Sequence, residues 1–338
     1  MLKKENINIW ISITSSKLET ENIMILISKK AYFTVVAAAV RYANKKIPKE
    51  EWLEVNGVFI GEKKEENIII KESYPIMHEK YNKDAVIDKY EWTEEDNITY
   101  TLIDDEAFSR GLYTVGSWHS HPGFKVMLSH IDIRHLAFHQ TANPSYFTLV
   151  FNPERLLHQV EMPEKKGDPE KPLKNDPGFK IFSLDDTSRG IEASYHTLDY
   201  KIESFDNLEQ LVKQTQKFMI DVTNFFPKDD VLAIYQNFVE EKLTKFNSLL
   251  LGTEEYLMTL IRKGESNRVP EVLNNQIHEI RKFVAETYIK IGNIKEFMDY
   301  LEYKEKDIII PQVNEILSIW DEEVTKLDSK LAEISKKF

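Results

Sequence analysis

The sequence predicts an α/β (α+β) first domain, in which helices flank a mixed β-sheet, followed by an all-α C-terminal region. Over the first 203 residues short strand patterns alternate with helical ones, which is typical of such a sheet. After residue 203 the strand patterns stop and long helical patterns continue to residue 338. A chain of 338 residues is also longer than one hydrophobic core usually supports. We therefore expect two domains, residues 1–203 and 204–338, with the boundary near Glu203.

The first domain contains strand and helix patterns separated by turn and cap signals. Ser28 stands where an N-cap would begin the helical run "KKAYFTVVAAAVRYANKK", and the charged segment "EKKEE" is typical of a turn between two strands. Further helices are predicted in "LIDDEAFSRG" and "SHIDIRHLAFHQTA". The predicted strands are "NIMILIS", "EVNGVFIG", "NIIIKESYPI", "LYTVGSWH", "SYFTLVFNP", "FKIFSL" and "ASYHTLDYKI".

Two segments of the first domain fit neither pattern. Residues 77–100 show no clear period, and we expect an insertion or irregular loop there. Residues 162–178 combine four prolines with charged residues and glycine, which indicates a mobile loop. Because strand patterns resume after residue 178, this second segment is predicted to be an insertion inside the domain.

The C-terminal region reads as long helices that we expect to be broken at Phe226-Pro227, Gly252, "GESNRVP" and "DIIIP". Its last segment carries apolar residues at alternating spacings of four and three, which is a heptad seam. A stripe of this kind needs a partner helix, either in the same chain or in another subunit, and both alternatives stay open. The seam consists of Val313, Leu317, Trp320, Val324, Leu327, Leu331, Ile334 and Phe338.

Composition excludes several functional classes. The chain has 44 basic and 56 acidic residues, and its net charge of −12 opposes binding to nucleic acid or to anionic membranes. It has no cysteine, so a metal site must use His, Asp or Glu. We identify no signal peptide, and the most apolar run, "AYFTVVAAAV", is about half of the ~20 residues that cross a bilayer. We therefore expect a cytoplasmic protein.

The segment "WHSHPGFKVMLSHID" carries the residues with metal chemistry. His119 and His121 are two residues apart at the end of a predicted strand, so their imidazoles share one face and can converge on one ion. A carboxylate from the start of the following helix, Asp132, would complete three protein ligands and leave the fourth position open for water. Taken alone, Ser129 and Asp132 also have the spacing of a helix N-cap with an acidic first turn.

The same residues resemble a known family. The spacing of His119, His121, Ser129 and Asp132 matches the His-x-His-x7-Ser-x2-Asp signature of the JAMM (MPN+) zinc metalloproteases without a gap. The glutamate that this signature expects at an earlier strand is Glu54, in "EVNGVFIG". The runs "HPGF" and "FNP" make the chain most similar to the proteasome-lid deubiquitinase and the signalosome deneddylase, in an MPN+ domain with a helical C-terminal region.

This resemblance implies a role for each residue. His119, His121 and Asp132 would bind one Zn²⁺ with water as the fourth ligand, and Glu54 would be the general base. Ser129 would help to hold the oxyanion, in competition with its role as an N-cap. The family's function implies an isopeptidase, a hydrolase that removes ubiquitin or a ubiquitin-like modifier from lysine side chains. The resemblance assigns no role to His130, His135 and His139, which we interpret as surface or packing residues.

The resemblance also implies partners. Conjugates of ubiquitin or of ubiquitin-like proteins would be the substrates, and their extended tails would pair with the insertion within residues 77–100. The insertion at 162–178 would contact partner subunits. A homodimer or an MPN-type partner is expected through the C-terminal helices, and the proteasome is a candidate partner. The alternative function is a non-catalytic MPN scaffold subunit of a multi-protein complex.

Overall fold

The computed structural model describes residues 23–80, 93–161, 171–228 and 230–338. The chain forms two compact units. Unit 1 ends at Pro227 and also contains Tyr300–Lys304, and unit 2 consists of Lys228–Asp299 and Glu305–Phe338. Unit 1 therefore includes the helix that follows Glu203, and the domain boundary at that residue stays a prediction.

Unit 1 is built on a mixed β-sheet, which confirms the predicted fold class. Eight of the described strands lie in the order β10-β1-β3-β2-β4-β5-β8-β9, and β6 and β7 form a separate pair. Pairing is parallel for β1 with β10 and β3 and for β4 with β5, and antiparallel elsewhere. The strands are β1 (Met24–Ile27), β2 (Leu53–Lys64), β3 (Asn67–Lys80), β4 (Tyr113–Ser120), β5 (Phe147–Phe151), β6 (Val160–Glu161), β7 (Lys171–Pro172), β8 (Phe179–Leu184), β9 (Tyr195–Thr197) and β10 (Asp199–Ile202).

The sheet is strongly curled. The segment "ASYHTLDYKI" was predicted as one strand, but it forms β9 at one edge of the sheet and β10 at the other. Only Leu198 separates them, so the two edges lie within a few ångströms of each other. The rings of Phe179 in β8 and Tyr200 in β10 accordingly lie 4.7 Å apart, centroid to centroid.

Helices cover the sheet and bury its apolar residues. α1 is buried from Ala31 to Tyr42, and this explains why its sequence is apolar on every side. The predicted cap is confirmed, because Ser28 Oγ accepts a hydrogen bond from Ala31 N–H at 3.1 Å. The helices of unit 1 are α1 (Lys29–Tyr42), α2 (Glu94–Ser109), α3 (His130–Ala142), α4 (Pro153–His158) and α5 (Leu208–Phe225).

Glycine at position 57 lets β2 lie close to its neighbours. A Cβ on Gly57 would come within 2.5 Å of the Trp118 ring in β4 and 2.3 Å of the Tyr74 carbonyl oxygen in β3. Trp118, which is 1% exposed, fills the space that a side chain would take. Glycine at this position therefore allows β2 to pack closely against β3 and β4, the strands that position the candidate site.

The two predicted insertions are described only in part. Residues 94–100 belong to α2, whereas residues 81–92 and 162–170 lie outside the described residues. The described end of the second insertion, residues 171–178, contacts the rest of unit 1, and the mobility of the segment stays a prediction. β7 pairs with β6, and Arg155 donates two hydrogen bonds to the Asp176 carboxylate, at 2.9 and 2.7 Å.

Unit 2 is helical, as predicted, but two of the expected breaks do not occur. Gly252 lies inside α6 and Pro311 inside α8. Apolar burial along these long helices outweighs the cost of about 1 kcal/mol for a glycine and about 3 kcal/mol for a proline. The remaining helices are α6 (Val231–Arg262), α7 (Val269–Phe297), α8 (Tyr303–Thr325) and α9 (Leu327–Lys337). No helix in the described part of the chain combines the length and apolar character needed to span a membrane.

The heptad seam packs inside unit 2. Six of its eight residues are buried, and Val324 and Phe338 are partly buried. The Trp320 ring contacts Phe246 of α6 and Phe283 of α7, at centroid distances of 5.8 and 6.3 Å. Of the two alternatives for this seam, packing within the chain is therefore confirmed. A homodimer or an MPN-type partner through the C-terminal helices stays a prediction, and the burial of the seam favours other surfaces of these helices for it.

Candidate metal centre

The site lies where the end of β4 meets the beginning of β2. His119 is in β4 and His121 follows the last residue of that strand. Because β2 runs antiparallel to β4, the start of β2 lies beside the end of β4, with Asn56 opposite His119. Glu54 is two residues before Asn56 and therefore lies on the same face of the sheet. α3 begins nearby and supplies Asp132 from its first turn.

The structure brings together the three predicted ligands. His119 Nε2 lies 3.1 Å from His121 Nε2 and 3.4 Å from Asp132 Oδ1, and His121 Nε2 lies 3.8 Å from Asp132 Oδ2. Among the described residues, these three form the group of His and acidic side chains whose ligand atoms converge closely enough to hold a metal ion. Both histidines are buried, at 7% and 9% exposed.

These separations fit a tetrahedral zinc site. Ligand atoms at Zn²⁺ distances of about 2.0 to 2.1 Å stand roughly 3.3 Å apart at the corners of a tetrahedron. Two of the three measured separations lie within about 0.2 Å of that value. Two imidazole nitrogens and one carboxylate oxygen are also a usual ligand set for catalytic zinc.

The tautomer and the protonation of His121 suit metal binding. Its Nδ1 lies 2.8 Å from the Lys125 carbonyl oxygen, and a hydrogen bond there places the proton on Nδ1 and leaves the lone pair of Nε2 toward the other ligands. Burial, with a smaller effect of His119, lowers the pKa of His121 to about 4. At neutral pH its imidazole is therefore neutral. Burial alone would lower the pKa of His119, but Asp132 and Glu54 outweigh it and raise this pKa.

A capping box orients the Asp132 carboxylate. The Ser129 N–H donates to Asp132 Oδ2 at 2.7 Å, and the Asp132 N–H donates to Ser129 Oγ at 3.2 Å. Burial by itself would raise the pKa of Asp132, but the two imidazoles and the Ser129 N–H hold it well below its usual range. The carboxylate is therefore ionised at neutral pH, and its Oδ1 is the oxygen nearer to His119.

The cap and the metal site are parts of one arrangement at Ser129. As a cap, Ser129 Oγ accepts a hydrogen bond, whereas holding an oxyanion requires it to donate one. A hydroxyl can do both at once, so the competition expected from the sequence does not arise. The position of this hydroxyl, one helical turn before the Asp132 carboxylate, is compatible with both roles.

Glu54 lies at the edge of this group. It is partly buried on β2, and its charge contributes to the raised pKa of His119. Its placement follows from the β2–β4 register, because residues on the same face of neighbouring strands stand close together. The structure thus brings all five predicted site residues to one place, and their roles stay proposals.

Sequence reasoning missed a residue that supports the site. Asn152 is fully buried, its amide Nδ2 donates to the carbonyl of Phe124, and its Oδ1 accepts from Arg155 N–H at 3.0 Å. Asn152 thereby ties the turn after His121 to the start of α4. The Asn-Pro pair was visible in the sequence, but local spacing gives no sign of a contact 28 residues away.

The other histidines of α3 were interpreted as packing or surface residues. His139 stacks on Tyr146 with centroids 4.5 Å apart, and burial lowers its pKa. His130 is exposed. An apolar cavity of about 310 Å³ in unit 1, lined in part by Trp52, Leu157 and Ile220, does not include the metal ligands.

The chain is similar to several known proteins. A family described as prokaryotic homologs of the JAB domain matches residues 35–156, which include all five site residues. COP9 signalosome complex subunit 5 of Eremothecium gossypii is 31% identical over 105 residues, or 30% of this chain and 23% of the relative. The same subunit of Kluyveromyces lactis is 27% identical over 107 residues, or 31% and 27% of the two chains.

The match therefore spans about a quarter of the length of these curated relatives. Among solved structures, the solution structure of protein DSY2949 from Desulfitobacterium hafniense is 17% identical. That comparison covers 53% of this chain and 92% of the other, with a TM-score of 0.31.

Proposed function

The chain belongs to the JAB/MPN (JAMM) family, and from this premise we propose that it is a zinc-dependent isopeptidase that removes ubiquitin or a ubiquitin-like modifier from lysine side chains. The observation that carries the proposal is the convergence of His119, His121 and Asp132, because two of their three measured ligand separations lie near those of a tetrahedral zinc site. Three protein ligands would leave a fourth position for water beside the Glu54 carboxylate, and such an arrangement favours hydrolysis over a structural role.

The chain's own residues would divide the chemistry among them. A bound Zn²⁺ would supply Lewis-acid chemistry, polarising the scissile carbonyl and making water more acidic. Glu54 would take a proton from the attacking water and pass it to the departing lysine amine. Ser129 Oγ would donate a hydrogen bond to the carbonyl oxygen as negative charge develops on it. Lys125, through its carbonyl, and the capping box would hold two of the ligands in place.

The proposed setting is a multi-subunit complex. Both curated relatives are named as subunits of a signalosome complex, and the conjugates of a ubiquitin-like protein are the substrate class that we propose. Partner subunits, including a second copy of this chain or the proteasome, would have to use surfaces other than the heptad seam. A non-catalytic scaffold is the alternative, but a scaffold gives no reason for three converging ligands and a partly buried glutamate beside them.

The test is cleavage of a ubiquitin-fold protein joined through its C-terminus to a lysine side chain. We expect Glu54→Gln to lower the cleavage rate by at least about 10²-fold, because a general base contributes 10²–10⁴. Zinc content, measured by elemental analysis, should stay at the wild-type value. Glu62→Gln is the matched control, since it makes the same change at the far end of the same strand.

The ligand assignment is tested by the same measurements. His119→Ala and Asp132→Ala should lose zinc. His130→Ala should keep it, because this substitution changes an exposed histidine of α3, the helix that contains Asp132. One equivalent of zinc in both ligand variants would contradict the site. Zinc binding by the wild type without cleavage of conjugates would instead favour the scaffold function.

A further inference from the structure

One buried polar group at this site is left without a partner. Asn56 in β2 is 5% exposed, and its Nδ2 finds no hydrogen-bond acceptor among the residues that the structure describes. A buried N–H donor without an acceptor is costly, and most such groups in folded proteins are paired. An unpaired amide therefore calls for a specific explanation.

The strand register places this amide inside the candidate metal centre. Asn56 is the direct cross-strand partner of His119. Direct partners in an antiparallel pair point to the same face, with Cβ atoms about 4.5 to 5.5 Å apart. Glu54 shares that face, and its effect on the pKa of His119 agrees with this placement. The irregularity of β2 begins only after Asn56, so it does not change the face.

The candidate metal centre contains more hydrogen-bond acceptors than free donors among its described side chains. Glu54 and Asp132 both contribute acidic oxygens, and the nitrogens of His119 and His121 that face each other would be taken by a metal. An oxygen that gains negative charge during amide hydrolysis needs N–H or O–H donors that are already in position. A neutral amide suits this role, since a lysine or arginine at position 56 would be held by the two carboxylates.

We propose that Asn56 is an additional catalytic residue, whose Nδ2–H donates a hydrogen bond to the carbonyl oxygen of the scissile amide as that oxygen becomes an oxyanion. This inference rests on the proposed function and adds a residue to it. The hydrogen bond forms and breaks within the reaction, so the amide neither gains nor loses a proton. Without substrate, the described part of the chain provides no acceptor for this donor.

The test combines two substitutions with a control. Asn56→Leu keeps the branched shape and removes the donor, and Asn56→Asp keeps the size and removes the donor. Ser73→Ala is the control, because Ser73 in β3 is also buried, its Oγ has no partner among the described residues, and it lies away from the proposed metal ligands. With the ubiquitin-fold conjugate as substrate, we expect both Asn56 variants to lose roughly 10²–10³ in kcat. KM and zinc content should stay within about two-fold of the wild type, and Ser73→Ala should behave as the wild type.

Thermal unfolding distinguishes this role from a structural one. Since Asn56→Leu removes a buried donor that has no acceptor, its zinc-free form should unfold at the same temperature as the wild type or a higher one. A lower unfolding temperature in step with the fall in kcat for both variants would overturn the proposal. So would a kcat within two-fold of the wild type.

A binding measurement keeps the inference separate from the proposed function. The probe is a phosphonamidate peptide, which carries a tetrahedral anion at the position of the scissile carbonyl. Calorimetry on the metal-loaded proteins should show binding that is at least ten-fold weaker for Asn56→Leu than for the wild type. Equal affinities, including no binding by either protein, would overturn the role of Asn56. Failure of the wild type to cleave conjugates would overturn the proposed function alone.

Discussion

Asp132 and Ser129 hold each other through two hydrogen bonds to backbone N–H groups, and this arrangement points a carboxylate oxygen at the imidazoles. The cap thus orients the carboxylate that we propose as a metal ligand. The same capping box occurs far from the site, where Thr93 Oγ1 accepts from Asp96 N–H at 3.1 Å and Thr93 N–H donates back to the Asp96 carboxylate. The Thr93 cap can therefore serve as a control that separates the effect of Ser129 on stability from its effect on activity.

Ser129→Ala and Thr93→Ala should have similar effects on stability and different effects on activity. Each substitution removes a cap acceptor, and we expect each to lower the free energy of unfolding by about 1 kcal/mol. Ser129→Ala should also lower kcat by roughly 10²-fold or more, because it removes a donor to the oxyanion. Denaturant unfolding and conjugate cleavage measure the two effects. Equal kcat in the two variants would leave Ser129 as a cap alone.

Between elements, an ion pair joins the C-terminal end of α2 to β3. Arg110, the C-cap residue of α2, donates to both Glu72 carboxylate oxygens, at 2.5 and 2.8 Å, and the Tyr74 hydroxyl donates to Oε2 at 2.8 Å. Hydrogen bonding from Arg110 is the largest of the effects that lower the pKa of Glu72. Both side chains are partly exposed, at 39% and 29%, so solvent weakens the pair.

This pair predicts a pH dependence of stability. A carboxyl group whose pKa is lowered on folding stabilises the protein above its unfolded pKa, about 4.3, and loses that contribution as the pH falls through its folded pKa. At pH 7 we expect Arg110→Gln to lower the free energy of unfolding by about 0.5 to 1 kcal/mol. The difference from the wild type should shrink as the pH falls below about 4.3, the unfolded pKa of a glutamate. Arg262→Gln, at an exposed arginine elsewhere, should show no such change; urea unfolding at neutral and acidic pH tests this.

At the scale of the whole molecule, the heptad seam stabilises unit 2 from within. Trp320 is fully buried against aromatic rings of α6 and α7, whereas its neighbour Ile319 is 48% exposed. We therefore expect any assembly through these helices to use their exposed faces, because most seam side chains are buried.

Trp320→Ala should therefore lower stability without changing the oligomeric state. Loss of a buried tryptophan costs about 3 to 5 kcal/mol, whereas Ile319→Ala should stay within about 0.5 kcal/mol. Denaturant unfolding measures the first effect, and light scattering after size-exclusion chromatography gives the mass of the native protein. A change of that mass with little loss of stability would show that the seam joins subunits.

Much of the fold and the site is predictable from local patterns in this chain. The alternation of strands and helices, the Ser28 cap and the spacing of His119, His121, Ser129 and Asp132 depend on neighbours in sequence, so periodicity and spacing reveal them. The family assignment depends on the same spacing, with Glu54 added. The local signals failed at Gly252 and Pro311, where they predict breaks but burial against other helices keeps α6 and α8 continuous.

The sequence by itself shows the acidic composition, and it predicts the ligand types and the resemblance to the JAMM family. Only the tertiary structure decided that Asn56 faces His119, that β9 and β10 lie at opposite edges of a curled sheet, and that the heptad seam is covered. These features arise from strand register and from burial between segments distant in sequence. Register depends on which strands pair and on the free energy of the whole core. Neither can be deduced from the order of neighbouring residues in the sequence.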